Sequence, residues 1–459
     1  MYFNSIVFIL VFLPVVLFGY FTLLRQRYVV ASKIWLCLAS LFFYGYWKVD
    51  YLVLILASIC FNFIIGIIVN AKNIRGRKLI LAIGITLNLV TLAYFKYTNF
   101  LIDTVNTVFG FHVQSHEILL PLAISFFTFQ QIAYIVDSYS RKTEEHDFFD
   151  YVLFVTFFPQ LVAGPIVHHK EMMPQFSRFA ARSINVDNIN KGIFIFILGL
   201  AKKVIVADYL ATIADPGFLR PEALEFSTAW ATSLSYTFQL YFDFSGYCDM
   251  AIGIALLFNI KLPLNFNSPY KALNIQDFWK RWHITLTVWL RDYLYIPLGG
   301  NRRGDGRSYI NVFLVFLLGG LWHGAGWTFI IWGTLHGVAC IVHKLYSKYL
   351  ANHMPINKAL AWVVTFNFVN IGWVVFRSDK VSSAFKIIKK MYTFEDRQTL
   401  LYLLGLFYVC IILPNVVEAV EKVNFRRRIL AAGLGIILLY CLWILSVPDQ
   451  SSPFLYFNF

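Results

Sequence analysis

The sequence predicts an all-α polytopic membrane protein, and three observations predict it. Of 459 residues, 59% are hydrophobic and only 14% charged; a soluble domain carries about 45–50% apolar and about 25% charged residues. Uncharged apolar stretches of bilayer length, about 17–25 residues, recur along the chain. Basic residues gather in the short loops between them: Arg25 and Arg27, Lys72 with Arg75, Arg77 and Lys78, Arg302 with Arg303 and Arg307, and the run 426–428. The net charge of +14 is therefore accounted for by cytoplasmic loops under the positive-inside rule, without nucleic acid.

Taken in order, spans are expected at 4–24, 51–71, 79–95, 118–136, 226–242, 359–376, 398–417 and 429–448. Weaker ones lie at 34–47, 151–169, 192–213 (interrupted by Lys202 and Lys203) and 250–260. With 308–343 this makes roughly 10–13 membrane elements, some of them re-entrant. Residues 1–5 carry no side-chain charge and Arg25 and Arg27 follow the first span, so the N-terminus is expected outside the cytoplasm. The same reasoning puts the tail 448–459 outside. The first span is long and lacks a basic leader, and is read as retained. One membrane domain, 1–459, is expected: N-terminal spans over 1–138, an irregular core over 139–345, and C-terminal spans with the tail over 346–459. No internal repeat is visible, which weighs against a secondary transporter. Six cysteines in or beside apolar runs read as buried small hydrophobes, and none has metal-ligand spacing.

Polar groups inside apolar sequence mark where chemistry is expected, because each needs a protein-lined or wet cavity. From Ser308 to His343 no Lys, Arg, Asp or Glu occurs. As one helix this stretch would be about 54 Å long against a hydrocarbon core of about 30 Å. It must break, and Gly319, Gly320, Gly324 and Gly326 bracket His323 at the expected break. His336 follows in a second Trp-flanked, Gly-followed setting. Each histidine reads as a packed helix-contact residue or as part of a site; two in such settings favour a site. Upstream, "DFWKRWHITLTVWLRDYLYIPLGGNRRGDGR" over 277–307 cannot span independently and reads as interfacial or re-entrant. Its glycine- and arginine-rich end fits either phosphate binding or a positive-inside loop. In "FFPQLVAGPIVHHKEMMPQF", Pro159, Gly164 and Pro165 forbid a continuous helix. Asp243 and Asp249 are carboxylates in apolar context, fit for a site or for pairing with a buried cation.

Together these stretches, with "FNSIVFILVFLPVVLFGYF" near the start and "FLYFNF" at the end, resemble the membrane-bound O-acyltransferases, and within them the bacterial alginate O-acetyltransferase-like branch. The resemblance implies a ring of helices around a central tunnel. It implies a catalytic histidine in Leu-Trp-His-Gly, here His323, and a second functional histidine, here His283. The implied reaction moves an acetyl group from cytoplasmic acetyl-CoA, a substrate and not a bound cofactor, to a hydroxyl presented from the other face. No metal and no tightly bound cofactor is expected. Lys280, Arg281, Arg302, Arg303 and Arg307 become donor-phosphate candidates, and Trp279, Trp282, Trp322, Trp327 and Asp243 tunnel-lining ones. His336 is expected to be structural. The implied setting is the bacterial inner membrane, surrounded by lipid, with an extracytoplasmic acetyltransferase partner that passes the group to a polysaccharide. Two other functions fit part of the pattern: D-alanyl transfer from a carrier-protein thioester toward teichoic acid, and a transporter or flippase using His and Asp as a proton relay.

Overall fold

The computed structural model describes residues 1–114, 118–143, 147–162, 164–177, 184–393, 415–423, 425, 428–447 and 454–455. Among these the regular structure is helical throughout, with no strand. Among the described residues, seven helices are long and apolar enough to cross a membrane: Phe8–Arg25, Asp50–Asn70, Arg77–Phe109, Phe226–Leu257, Trp327–Tyr349, Lys358–Arg377 and Ile429–Ser446. The all-α multi-pass architecture read from the sequence is thus borne out. Of the expected span at 398–417, residues 398–414 lie outside the described residues and a short helix, Val416–Lys422, follows; the basic residues 426–427 and most of the tail also lie outside.

Contacts divide the chain into two compact units. The first comprises Met1–Ile197 with Tyr247–Pro263. It begins with a π-helical turn, Phe8–Phe12, leading into α1 (Leu13–Arg25), and continues through α2 (Val29–Gly45), α3 (Asp50–Asn70), α4 (Arg77–Phe109) and α5 (Ile124–Tyr139). Gly19 lets the Trp35 ring lie flat on α1, and the indole donates to the Val16 carbonyl, so α1 and α2 pack closely. α5 is buried along nearly its whole length, and Gln131 on it joins a polar cluster with neighbouring helices. Gln131 accepts from Asn62 Nδ2 at 2.6 Å, and Asn62 and Asn88 exchange amide hydrogen bonds. The break forecast around Pro159 is present. α6 (Phe148–Thr156) ends before Phe157, and after a short turn of helix the chain is irregular as far as His168. His169 pairs with Thr143 and faces Asp137. Four cysteines, Cys37, Cys248, Cys340 and Cys441, are buried as expected, and Cys410 lies outside the described residues. Cys60 is a correction: it is exposed on α3, because its side of that helix is not covered by protein.

The second unit comprises Leu198–Gly246 with Leu264–Phe459. α7 (Val186–Ala201) belongs to the first unit as far as Ile197; its last turn passes through a π-helical segment, Lys202–Ala207, into α8 (Asp208–Leu219). The reason for Lys203 inside an apolar run is here: its ammonium lies 2.8 Å from Asp208 and 2.6 Å from Asp243, with all three side chains buried. A buried cation is tolerable only when so paired. Asp243 lies on α9 (Phe226–Leu257), and its other oxygen accepts the Leu455 backbone N–H at 2.9 Å. The segment around His283 forms two short helices, α10 (Ile275–Arg281) and α11 (Ile284–Leu290), followed by a π-helical turn at Arg291–Tyr295; as expected, none is long enough to span. The 308–343 stretch is a hairpin of α12 (Asp305–His323) and α13 (Trp327–Tyr349). α14 (Lys358–Arg377) and the amphipathic α15 (Val381–Met391) follow. The last described helix is α16 (Arg428–Ser446).

Candidate active site

The hairpin breaks at Gly324–Ala325–Gly326, and sterics dictate it. A Cβ on Gly324 would overlap the Phe329 ring. One turn earlier, a Cβ on Gly320 would strike the Phe329 carbonyl oxygen, and one on Gly333 would strike that of Phe316. These glycines let the backbones of α12 and α13 touch, which fixes His323 at the last position of α12 beside Trp332 on α13. The two rings stand edge to face, 5.2 Å apart. Trp322 and Phe376 complete the cage at 5.0 and 5.4 Å.

His283 comes to this place from the turn between α10 and α11. Its backbone is left-handed, with φ of 44°, an uncommon state for a side chain larger than glycine's. Such strain persists only where the surroundings over-determine it. Its Nδ1 lies 3.2 Å from Asn265 Oδ1, which also accepts from the Thr285 hydroxyl at 2.9 Å. Asn265 Oδ1 can only accept, so His283 carries its proton on Nδ1 and presents the lone pair of Nε2. The imidazole is fully buried, and burial pushes it down to about 3, so it is neutral at physiological pH. The rings of His283 and His323 are 6.3 Å apart.

A cavity of about 180 Å³ opens onto His323. Val312, Val315, Phe316, Gly319 and His323 line it along one stripe of α12, which extends about 16 Å from Val312 to His323. Leu286, Thr287 and Leu290 of α11 add to the lining with Trp279 and Trp332, and so do Tyr295 and Arg291, whose exposed guanidinium is paired with Asp292 at 2.7 Å. The lining is almost wholly apolar. Tyr295 is tied down by Asn301 at 2.6 Å and Ser308 at 2.9 Å, and Lys344 donates to Ser308 at 2.8 Å.

The residues singled out from sequence scatter around this cavity unequally. His323 and Trp279 line it, Trp322 packs on His323, and Trp282 is buried between Phe266, Phe278 and Trp373. Trp327 is half exposed at the start of α13. Asp243 is held by Lys203. Arg281 is bound to Asp277, and Lys280, Arg302, Arg303 and Arg307 are exposed. Sequence reasoning missed Arg291, Tyr295, Trp332 and Asn265. Only Asn265 left a local signal, a polar residue within "KLPLNFNSPY".

His336 lies on α13, fully enclosed. The Trp279 indole donates to its Nδ1 at 3.2 Å, and the rings of Trp332, Phe368 and Trp373 surround it at 4.8, 5.2 and 6.4 Å.

Comparison with known proteins identifies the family. Residues 78–378 match the model of MBOAT, the membrane-bound O-acyltransferase family, and thus include both histidines of the cavity region. A peptidoglycan O-acetyltransferase of Helicobacter pylori is 52% identical over 85% of this chain and 79% of its own length. A probable alginate O-acetylase of Pseudomonas aeruginosa is 44% identical over 87% of this chain and 76% of its own. A teichoic acid D-alanyltransferase of Bacillus subtilis is 29% identical over 58% of this chain and 70% of its own. The transporter reading has no support among these. A polytopic helical chain with a histidine caged at a helix break, matched over most of its length by these enzymes, belongs to the membrane-bound O-acyltransferase family and is an O-acyltransferase.

Proposed function

We propose that the chain, acting as one membrane domain over 1–459, takes an acetyl group from cytoplasmic acetyl-CoA and delivers it across the bacterial inner membrane for O-acetylation of a cell-envelope glycan. The observation that carries this reading is the apolar cavity from Arg291 to His323. Its apolar walls suit a thioester arm, and the exposed Arg291 guanidinium, which a donor phosphate would share with or take from Asp292, suits a phosphate-bearing donor. His323 takes the proton of the attacking hydroxyl as the oxygen bonds to the thioester carbonyl carbon. The carbon–sulfur bond then breaks, and the coenzyme A thiolate leaves with the proton returned from the imidazolium. His283, oriented by Asn265, assists by holding the hydroxyl or the donor through Nε2. Arg302, Arg303 and Arg307, with Lys280 and Arg281, supply a field that attracts the anionic donor.

The names of the relatives support acetyl over D-alanyl as the cargo: the acetylating ones are 38–52% identical to this chain, against 27–29% for the D-alanylating ones. They also support peptidoglycan or an exopolysaccharide such as alginate as the final acceptor. In this reading an extracytoplasmic partner enzyme passes the group to it. The N-terminus and the tail at 448–459 lie on that outer side in this reading. The test is thiol release: purified protein supplied with acetyl-CoA and a hydroxyl acceptor frees coenzyme A, and His323→Ala does not. Release from a D-alanyl carrier-protein thioester, and none from acetyl-CoA, would replace acetyl with D-alanyl.

A further inference from the structure

Far in sequence from the histidines, the first compact unit carries a second and larger recess. It is a groove of about 1120 Å³ between α1 and the first half of α7, walled by Leu17 and Phe21 on one side and Ile189 and Ile193 on the other. Along α1 its lining runs from just before the helix to the last turn, about 24 Å, close to the thickness of the hydrocarbon core of about 30 Å. The polarity is arranged by depth. The walls are aliphatic and aromatic, and among the described residues the cations of the lining, Arg25 and Arg27, lie at the same end.

The backbone at that end is informative. Tyr28 N–H donates to the Leu23 carbonyl and Arg27 N–H to that of Leu24, the paired closing bonds of a Schellman turn. The position between, which this turn reserves for glycine, is Arg27, with φ of 64°. A positive-inside charge could sit anywhere in the loop. Here the chain accepts an unfavoured backbone state to hold a guanidinium at the mouth of an apolar groove.

We infer that this groove is a binding site for a phospholipid with an anionic headgroup, its acyl chains lying between α1 and α7 and its phosphate on Arg25 and Arg27. Charge complementarity selects this occupant. Basic recesses between membrane helices bind acidic headgroups, and neutral apolar walls accept the chains. A partner's membrane helix fits less well, since helix–helix contacts in lipid favour small residues, and these walls are Leu, Ile and Phe. The site is separate from the acetyl-transfer reading and stands or falls without it.

Native mass spectrometry of the purified full chain, titrated with phosphatidylglycerol or with phosphatidylcholine of the same acyl chains, tests this. Phosphatidylglycerol should bind about thirty-fold more tightly, the scale expected of two guanidiniums near the headgroup plane at about 1 kcal/mol each. Arg27→Gly suits the left-handed position, so it should keep or raise the thermal midpoint while cutting the preference. Arg25→Gln with Arg27→Gly should abolish it. Leu17→Trp, which fills the groove, should weaken both lipids. Equal affinity for the two headgroups in the unaltered protein would overturn the proposal, as would a preference that survives the double variant. A photoreactive residue at position 193 should form lipid adducts in native membranes; protein adducts alone would assign the groove to a partner helix instead.

Discussion

His323 and His336 occupy one helical hairpin, each beside tryptophan and each followed by glycine, yet their surroundings differ in kind. His323 is 3% exposed and forms the inner wall of a cavity; His336 is 0% exposed inside a box of aromatic rings. The Nδ1 of His336 is already used by the Trp279 indole, and a Cβ on Gly372 would come within 3.0 Å of its Nε2. No room remains there for a reacting group. The difference teaches that a histidine in a membrane helix is assigned by what its nitrogens can reach. Its sequence neighbours are nearly the same in both cases.

The largest effect expected from this contrast is on His323. In purified, folded protein at saturating donor, His323→Ala should lower acyl transfer by about 10²–10⁴-fold, the usual contribution of a general base. The thermal midpoint should change little, because the ring borders an existing cavity. Wild-type turnover in this variant would erase the contrast.

Arg291 comes next. It lines the cavity while exposed and paired with Asp292 at 2.7 Å, whereas Arg302, Arg303 and Arg307 are exposed on the loop beyond and are not part of the lining. A charge-assisted hydrogen bond is worth about 1.5–3 kcal/mol, so Arg291→Ala should raise the donor KM about ten-fold or more with a smaller change in kcat. Charge reversal at Arg302 and Arg303 should act mainly at low salt, since exposed charges are screened beyond about 8 Å at physiological ionic strength. A KM that ignores Arg291 but follows the loop arginines would move donor recognition out of the cavity.

How much of this was legible beforehand depends on the range over which each feature is encoded. The break at Gly324–Gly326 is local: a charge-free run too long for the bilayer with glycines at one place allows little else. His323 was legible with it. The cavity is not local, since its walls come from α10, α11, the Arg291–Tyr295 turn, α12 and α13, and no sequence period links Arg291 to Trp332. Asp243 shows the same limit. A carboxylate in apolar sequence looks functional, and its neutralising partner Lys203 lies on another helix where it looked like a mere interruption. Asn265 was missed because its role is visible only once the turn at His283 brings the two side chains to 3.2 Å.

Asn265 offers a finer test. Asn265→Ala removes the acceptor that fixes the His283 tautomer and leaves the Thr285 hydroxyl without that partner. One lost hydrogen bond of about 1 kcal/mol corresponds to about a five-fold fall in kcat. Asn265→Asp keeps an acceptor on Nδ1 and should restore part of the rate if orientation is what matters. Equal loss in both variants would mean that Asn265 serves the fold of the turn and not His283.

The smallest effect on turnover is expected at His336, and there the contrast is sharpest. His336→Ala leaves the Trp279 N–H buried without its acceptor, at a cost of about 1–3 kcal/mol, and opens a void between Trp332, Phe368 and Trp373. Yield of folded protein and thermal midpoint should therefore fall, while turnover per folded molecule stays within a few-fold of wild type. His336→Gln retains an acceptor for Trp279 and should recover part of the lost stability; His336→Phe keeps the volume without the acceptor and should recover less. The two histidines are distinguished by which quantity moves. If His336→Ala folds normally and loses turnover as His323→Ala does, the aromatic box takes part in the chemistry, and enclosure no longer separates a structural histidine from a catalytic one here.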